Sequence, residues 1–216
     1  MTQTSPPFPV VMMIIGAFVA LAITSCSSLS SRSTAIDGSS AGDRSTTPHL
    51  DTDASPGHCT GRAGDVSVDG DVTVPAGATC VLDGTTVEGN VSVGPAARLY
   101  ARGADVDGDI EGERSGVVEV TDGSHVGGNL QLQSGGASRV TGSHVDGDLS
   151  WQEQHGALVA QSNTVAGNLE LDSNTGGATV SDNKVGGDLS CEKNVPAPEG
   201  GNNTVSGDND NQCRDL

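Results

Sequence analysis

Apolar residues recur in this chain at a fixed spacing, inside a five-residue motif of Val, any residue, Gly, Asp or Asn, and an apolar residue. The first copy is Val68-Asp69-Gly70-Asp71-Val72, and an eighth copy, at residues 205–209, ends in a polar residue instead. Neighbouring copies are 19 or 20 residues apart, measured between their glycines: Gly70, Gly89, Gly108, Gly128, Gly147, Gly167, Gly187 and Gly207. A period of this length indicates a stacked repeat, in which one unit is too small to bury its apolar face alone.

Most copies predict a strand, because the fourth and sixth residues after the Val are apolar, as with Leu130 and Leu132 or Leu169 and Leu171. Apolar residues at every second position are typical of a strand with one buried face. A second short strand is predicted before the motif, for example at residues 157–160, and Gly, Asn and Ser turns separate the strands. We therefore expect an all-β fold, a single-stranded parallel β-helix (β-solenoid) of about eight rungs of 19–20 residues.

Polar residues follow the same repeat in two columns. The fourth motif position holds Asp71, Asn90, Asp109, Asn129, Asp148, Asn168, Asp188 and Asp208. Alternating Asp with Asn roughly doubles the distance between like charges, and both side chains bond readily to backbone amides at a bend. We interpret this column as a ladder of turn residues. The alternative is a column of cation sites, although alternating Asp with Asn halves the density of negative charge that would bind hard cations.

A second polar column lies two residues before the motif Val and contains Ser124, Ser143, Asn163, Asn183 and Asn203. Its parity within the predicted strand places it on the buried face. Buried turn backbone needs hydrogen-bond partners, and stacked Ser and Asn side chains supply them. We expect a structural role for this column.

Composition narrows the classes of function. The 216 residues include 28 Asp and Glu against 10 Lys and Arg, a formal charge of −18. This charge disfavours nucleic acid and a bare anionic membrane as partners. After residue 26 the aromatic residues are Tyr100 and Trp151 alone. The core must therefore be aliphatic and thin, with Trp151 filling one of its strand positions.

The N-terminus predicts export. Residues 10–23 form an apolar run of signal-peptide length, and Ile23-Thr24-Ser25-Cys26 resembles the bacterial lipobox. That resemblance implies a signal peptide at residues 1–25 and lipidation of Cys26, with palmitate as one acyl chain. An ordinary secretory signal and an uncleaved anchor are the alternatives, and all three export the chain. The Ser- and Thr-rich residues 26–57 predict a disordered tether, and residues 58–213 the solenoid domain.

Four further cysteines form two pairs along the chain. Cys59 and Cys80 are 21 residues apart at the first rungs, and Cys191 and Cys213 are 22 apart at the last. Each separation is about one rung, so both pairs are within reach of a disulfide. Export makes oxidation plausible, and no Cys-x-x-Cys spacing favours zinc. We expect disulfides Cys59–Cys80 and Cys191–Cys213.

Residues with catalytic chemistry are few. His125 and His144 occupy one column, but the next rungs hold Thr164 and Lys184 there, so we expect no metal site. The one Gly-x-Ser-x-Gly match, Gly38-Ser39-Ser40-Ala41-Gly42, lies in the predicted tether, and no phosphate-binding loop occurs. We expect no catalytic residue and no cofactor. A pair of carboxylates at glycosidase separation stays open as an alternative.

The Val-x-Gly-Asp/Asn-apolar rung resembles that of the bactofilins, bacterial β-solenoid proteins that polymerise end to end. The chain also resembles small exported actinobacterial proteins of unknown function, through Asn163-Thr164-Val165-Ala166-Gly167-Asn168-Leu169 and its Cys-containing tail. The second resemblance implies a fold and an exported location without an activity.

These observations predict a non-enzymatic lipoprotein, a structural or interaction module of the cell envelope held outside the cytoplasmic membrane. We expect a monomer, because the polar Asn209 and Asn211 of the last rung discourage stacking of a further rung. The expected partners are the lipid anchor in the membrane and an envelope protein or glycan. The alternatives are a bactofilin-like polymer and a β-helix enzyme acting on polysaccharide.

Overall fold

A computed structural model of the chain describes residues 57–216. These residues form a parallel β-solenoid of eight turns, and each turn contributes one strand to each of three eight-stranded sheets. The predicted all-β solenoid is therefore confirmed. Within residues 57–216 no helix is long and apolar enough to span a membrane.

The three sheets are named first, second and third in the order in which the chain enters them. The first contains β1 (Arg62–Ala63), β4 (Thr79–Asp83), β7 (Arg98–Arg102), β10 (Val117–Thr121), β13 (Ala137–Thr141), β16 (Leu158–Gln161), β19 (Ala178–Ser181) and β22 (Glu199–Gly201). The second contains β2 (Ser67–Val68), β5 (Thr86–Val87), β8 (Asp105–Val106), β11 (His125–Val126), β14 (His144–Val145), β17 (Thr164–Val165), β20 (Lys184–Val185) and β23 (Thr204–Val205). The third contains β3 (Val72–Val74), β6 (Val91–Val93), β9 (Ile110–Glu113), β12 (Leu130–Gln133), β15 (Leu149–Gln152), β18 (Leu169–Asp172), β21 (Leu189–Glu192) and β24 (Asn209–Asn211).

Equivalent residues of successive rungs lie side by side in parallel register. Leu130 pairs with Leu149 and Leu149 with Leu169, so each apolar column becomes a continuous buried stripe. Trp151 extends one such stripe and is fully buried, as its position in the repeat predicts. In the part of the chain that the structure describes, Val195 is the single large apolar residue with an exposed side chain. The core is thus one aliphatic stack, and the outer faces of the sheets are mainly polar.

Both ends of the solenoid carry a disulfide, and the two predicted pairings are present. The Cα atoms of Cys59 and Cys80 are 5.4 Å apart, and those of Cys191 and Cys213 are 5.2 Å apart. All four cysteines are buried. Each bond therefore ties an end rung to its neighbour, at the place where a stacked repeat has lost contacts on one side.

Candidate functional site

The column of alternating Asp and Asn is a ladder of hydrogen bonds between rungs. Asp71 Oδ1 accepts from the backbone N–H of Asn90 at 2.8 Å, and Asn90 Oδ1 accepts from the N–H of Asp109 at 2.9 Å. The same bond joins every further pair, as far as Asp188 Oδ1 and the N–H of Asp208 at 2.8 Å. One oxygen of each side chain is thus used to hold the next turn, which confirms the interpretation as turn residues.

The buried Ser and Asn column has the predicted structural role. Asn163 Nδ2 donates to the carbonyl of Val140 at 2.7 Å, and Asn163 Oδ1 accepts from the backbone N–H of Ser143 at 3.0 Å. Asn183 repeats both bonds one rung later. These side chains satisfy backbone groups that the turn would otherwise leave buried without partners.

A third ladder, at the turn after the third sheet, was missed by the sequence analysis. Asn174 Nδ2 donates to the carbonyl of Trp151 at 3.0 Å, and Asn174 Oδ1 accepts from the backbone N–H of Gln154 at 2.8 Å. Asn194 makes the equivalent bonds, and Gln212 closes the series. The signal was present, because the ninth residue after the motif Val is Ser115, Gln154, Asn174 or Asn194 in four of the copies.

Four polar side chains meet on the outer face of the second sheet, and we call them the histidine–aspartate cluster: Asp105, His125, His144 and Asp146. The register places His125 beside Asp105 on one side and beside His144 on the other. Asp146 follows His144 by two residues, directly after the end of β14, and its exposed side chain contacts that of His144. The predicted stacking of the two histidines is present, with ring centroids 5.6 Å apart.

The Asp146 carboxylate joins both imidazoles. Its two oxygens lie 3.2 Å from His125 Nε2 and 2.7 Å from His144 Nε2. On the far side of the His125 ring, Nδ1 lies 2.8 Å from Asp105 Oδ1. His125 is therefore held between two carboxylates, and its ring orientation is set from both ends.

These contacts alter the pKa values of the cluster. The hydrogen bond that His125 donates to Asp105 raises the pKa of His125 above 6.5; partial burial opposes this shift, and Asp146 adds to it. The hydrogen bond from His125 lowers the pKa of Asp146 below its usual value, with further help from the charges of both histidines. The cluster therefore favours a positive charge between its carboxylates.

The stacked histidines lie where the repeat predicts them, whereas the two aspartates beside them were not predicted. Within the histidine column, Thr164 and Lys184 of the later rungs offer no further ligand, whereas Asp105 occupies this column in the rung before His125. Asp146 lies two residues after His144, directly after the end of β14. The signals available in the sequence were therefore the column itself for Asp105 and the two-residue spacing from His144 for Asp146.

A second surface feature is an open groove of about 720 Å³ along the outer face of the third sheet. Its lining extends over six rungs, from Thr73 to Glu170, and combines hydroxyl, amide and carboxylate side chains with the apolar Val93, Pro95 and Leu132. Its charged residues are Glu111, Glu113, Arg114, Asp148 and Glu170. None of its lining residues is aromatic. Tyr100 lies on the first sheet instead, with the Arg102 guanidinium 5.7 Å from its ring centre.

The predicted lipidation site, Cys26, lies outside the described residues. So do the predicted signal peptide at residues 1–25 and all of the predicted tether except its last residue. These assignments stay predictions.

The geometry places the protein in the class of parallel β-solenoids. Comparisons with protein-family models, with curated proteins and with solved structures found no match to this chain. Its function is therefore argued from its own residues.

Proposed function

We propose that this protein is a non-enzymatic interaction module of the cell envelope, displayed outside the cytoplasmic membrane on a lipid attached to Cys26. The groove of the third sheet is its contact surface. The observation that carries the proposal is the composition of this groove, where four carboxylates accompany one guanidinium. Such a surface suits a basic segment of an envelope protein, because opposite charges steer and orient the encounter.

A rigid support favours a binding role for the groove. Most of its side chains project from β3, β6, β9, β12, β15 and β18, which are joined in one continuous parallel ladder, and Arg114 and Asp148 lie next to the ends of β9 and β15. Adjacent strands hold their outward residues about 4.8 Å apart, so the polar groups form a fixed array. Preorganised groups lose little freedom on binding, which favours recognition of an extended partner.

Site-specific photo-crosslinking in living cells tests the groove. We expect the photoreactive residue p-benzoylphenylalanine to capture an envelope protein when it replaces Gln131, which is exposed in the groove on β12. The matched control replaces Thr179, which is exposed on β19 of the first sheet. Equal capture from both positions, or capture from Thr179 alone, would contradict the assignment of the groove.

Anchoring through Cys26 has its own test. A palmitate analogue fed to cells should label the wild-type protein, and Cys26→Ala should remove the label. A wild-type chain that is exported without label would instead support the ordinary secretory signal.

The enzyme alternative is favoured by one observation, the clustering of Glu111 and Glu113 on β9 within the groove. Against it, saccharide-binding grooves commonly stack sugars on aromatic side chains, and the groove lining has none. Release of reducing ends from envelope polysaccharide, abolished by Glu111→Gln, would establish this alternative over the binding role.

A further inference from the structure

We propose that the histidine–aspartate cluster is a binding site for a divalent transition-metal ion such as Zn²⁺, with His125, His144 and Asp146 as its ligands. Each offers one ligand atom, and the three atoms lie within 4.8 Å of one another. Two atoms bound to a common tetrahedral Zn²⁺ at about 2.0–2.1 Å are about 3.4 Å apart. Nε2 of His125 lies 3.2 Å from one oxygen of Asp146, close to that separation, and Nε2 of His144 lies 2.7 Å from the other oxygen.

The orientation of His125 supports this assignment. A neutral imidazole carries one N–H, and the carboxylate of Asp105 at 2.8 Å from Nδ1 accepts a hydrogen bond from that nitrogen. The Nε2 lone pair is then directed toward the Asp146 carboxylate, which is itself an acceptor. A cation between these atoms satisfies both of them.

Asp105 completes an arrangement that metal sites use repeatedly. A histidine that ligates a metal through one nitrogen usually donates its other N–H to a carboxylate, which fixes the tautomer and makes the ligating nitrogen more basic. Here Asp105 is a positioning residue that acts through His125. Asp105 lies one rung before His125, and His144 and Asp146 lie one rung after it, so the cluster extends over three successive rungs.

The types of ligand select the class of ion. Imidazole nitrogen suits Zn²⁺, Cu²⁺ and Ni²⁺, whereas Mg²⁺ and Ca²⁺ prefer sets of oxygen ligands. The side chains of His125, His144 and Asp146 are 39%, 45% and 47% exposed, so solvent reaches the site. Three protein ligands leave a fourth position of a tetrahedral ion open to water or to a group from a partner.

Isothermal titration with Zn²⁺ in excess Mg²⁺ tests the proposal on the purified full chain, with both disulfides formed and after removal of metal by a chelator. We expect saturable binding of one Zn²⁺ per chain. His144→Asn and Asp146→Asn should each weaken binding at least tenfold, since each removes a ligand. Asp105→Asn should weaken it by about 10–100-fold with the stoichiometry unchanged, because only the orientation of His125 is affected.

His155→Asn is the matched control, because His155 is exposed and contacts Thr175 on another part of the solenoid. It should bind Zn²⁺ as the wild type does, and circular dichroism should be the same for all variants. The proposal is overturned if the wild type shows no saturable binding. It is also overturned if His144→Asn binds as tightly as the wild type, since the ion would then be held by the acidic surface at large.

Discussion

Gly147 occupies a bend where two rungs approach too closely for a side chain. A Cβ at this position would overlap Asn129 Oδ1 and lie 2.8 Å from the carbonyl oxygen of Gly128. Asn129 Oδ1 already accepts a hydrogen bond from Asp148, so it has little freedom to move away. We expect Gly147→Ala to lower the free energy of unfolding by about 1–3 kcal/mol, measured by chemical denaturation.

Gly64→Ala is the control for this prediction. A Cβ on Gly64 would meet no atom within 4 Å, and the residue does not need a left-handed backbone. Its effect on the free energy of unfolding should stay within about 0.5 kcal/mol. A loss in Gly64→Ala as large as that in Gly147→Ala would show that crowding at the bend is not the cause.

The raised pKa of His125 predicts how the stability of the fold depends on pH. Asp105 raises its pKa in the folded chain, so the folded state binds the proton more tightly than the unfolded state does. The contribution to stability is complete below the unfolded pKa of about 6.5 and is lost as the pH rises through the raised folded pKa. NMR titration of the metal-free protein should place the His125 pKa above 6.5, and Asp105→Asn should lower it. Titration of His125 at or below 6.5 would contradict the contact.

At the scale of single residues, the sequence predicts which residues stack on successive rungs better than it predicts which side chains contact each other. The motif places His125 over His144 and Asn163 over Asn183, because equivalent residues of a solenoid lie side by side. The contact between His144 and Asp146 depends in addition on side-chain rotamers, which the repeat does not set. The same limit explains why Asn174 was passed over, since its inward direction depends on how the turn bends.

The last rung buries fewer apolar side chains than the rungs before it. In β24, Asn209 and Asn211 replace the apolar pair that earlier strands of the third sheet bury. The Cys191–Cys213 disulfide ties the residues after β24 back to β21. We expect removal of both sulfurs, by Cys191→Ala and Cys213→Ala together, to cost about 3 kcal/mol by the entropy of a loop of this length.

The loss should be local, because each rung of a solenoid contacts only its neighbours. Hydrogen exchange followed by mass spectrometry should show faster exchange in β22, β23 and β24, with little change in β12 at the middle. Equally faster exchange in β12 would mean that the solenoid opens as a single unit and that the disulfide supports the whole molecule.

For the whole molecule, the repeat period predicts the architecture but not the binding surface. A repeat of 19–20 residues with two-residue alternation permits few architectures, so the solenoid and both disulfides follow from spacing. The groove does not follow, because its depth depends on how outward side chains of six rungs are arranged. The repeat pattern constrains the inward residues, and an outward residue fits it equally well whether that residue binds a partner or only water. The repeat pattern therefore does not predict which outward positions bind a partner.

The ends of the solenoid decide whether it stands alone or polymerises. The edge strands are β1, β2 and β3 at one end and β22, β23 and β24 at the other. Each is two or three residues long, His58 already pairs with Thr73 of β3, and short edges template pairing poorly. Asn209 is the most informative residue at the end formed by β24. Its buried Oδ1 has no hydrogen-bond partner among the described residues, and Asn209 pairs with the apolar Leu189 of the preceding rung. A further rung would meet this amide instead of an apolar side chain and would bury less apolar surface than the earlier rungs do, so stacking on it is disfavoured.

We therefore expect the disulfide-bonded chain from residue 27 onward to have the mass of a monomer in light scattering, with no filaments in electron microscopy. Asn209→Leu extends the apolar column to the end of the solenoid and should promote association. The matched control is Asp210→Leu, which adds the same side chain to the outer face of the same strand. Association of both variants alike would reflect added apolar surface only. Filaments of the wild type would mean that the polar last rung does not cap the stack, and end-to-end polymerisation would then replace binding in the groove as the leading function.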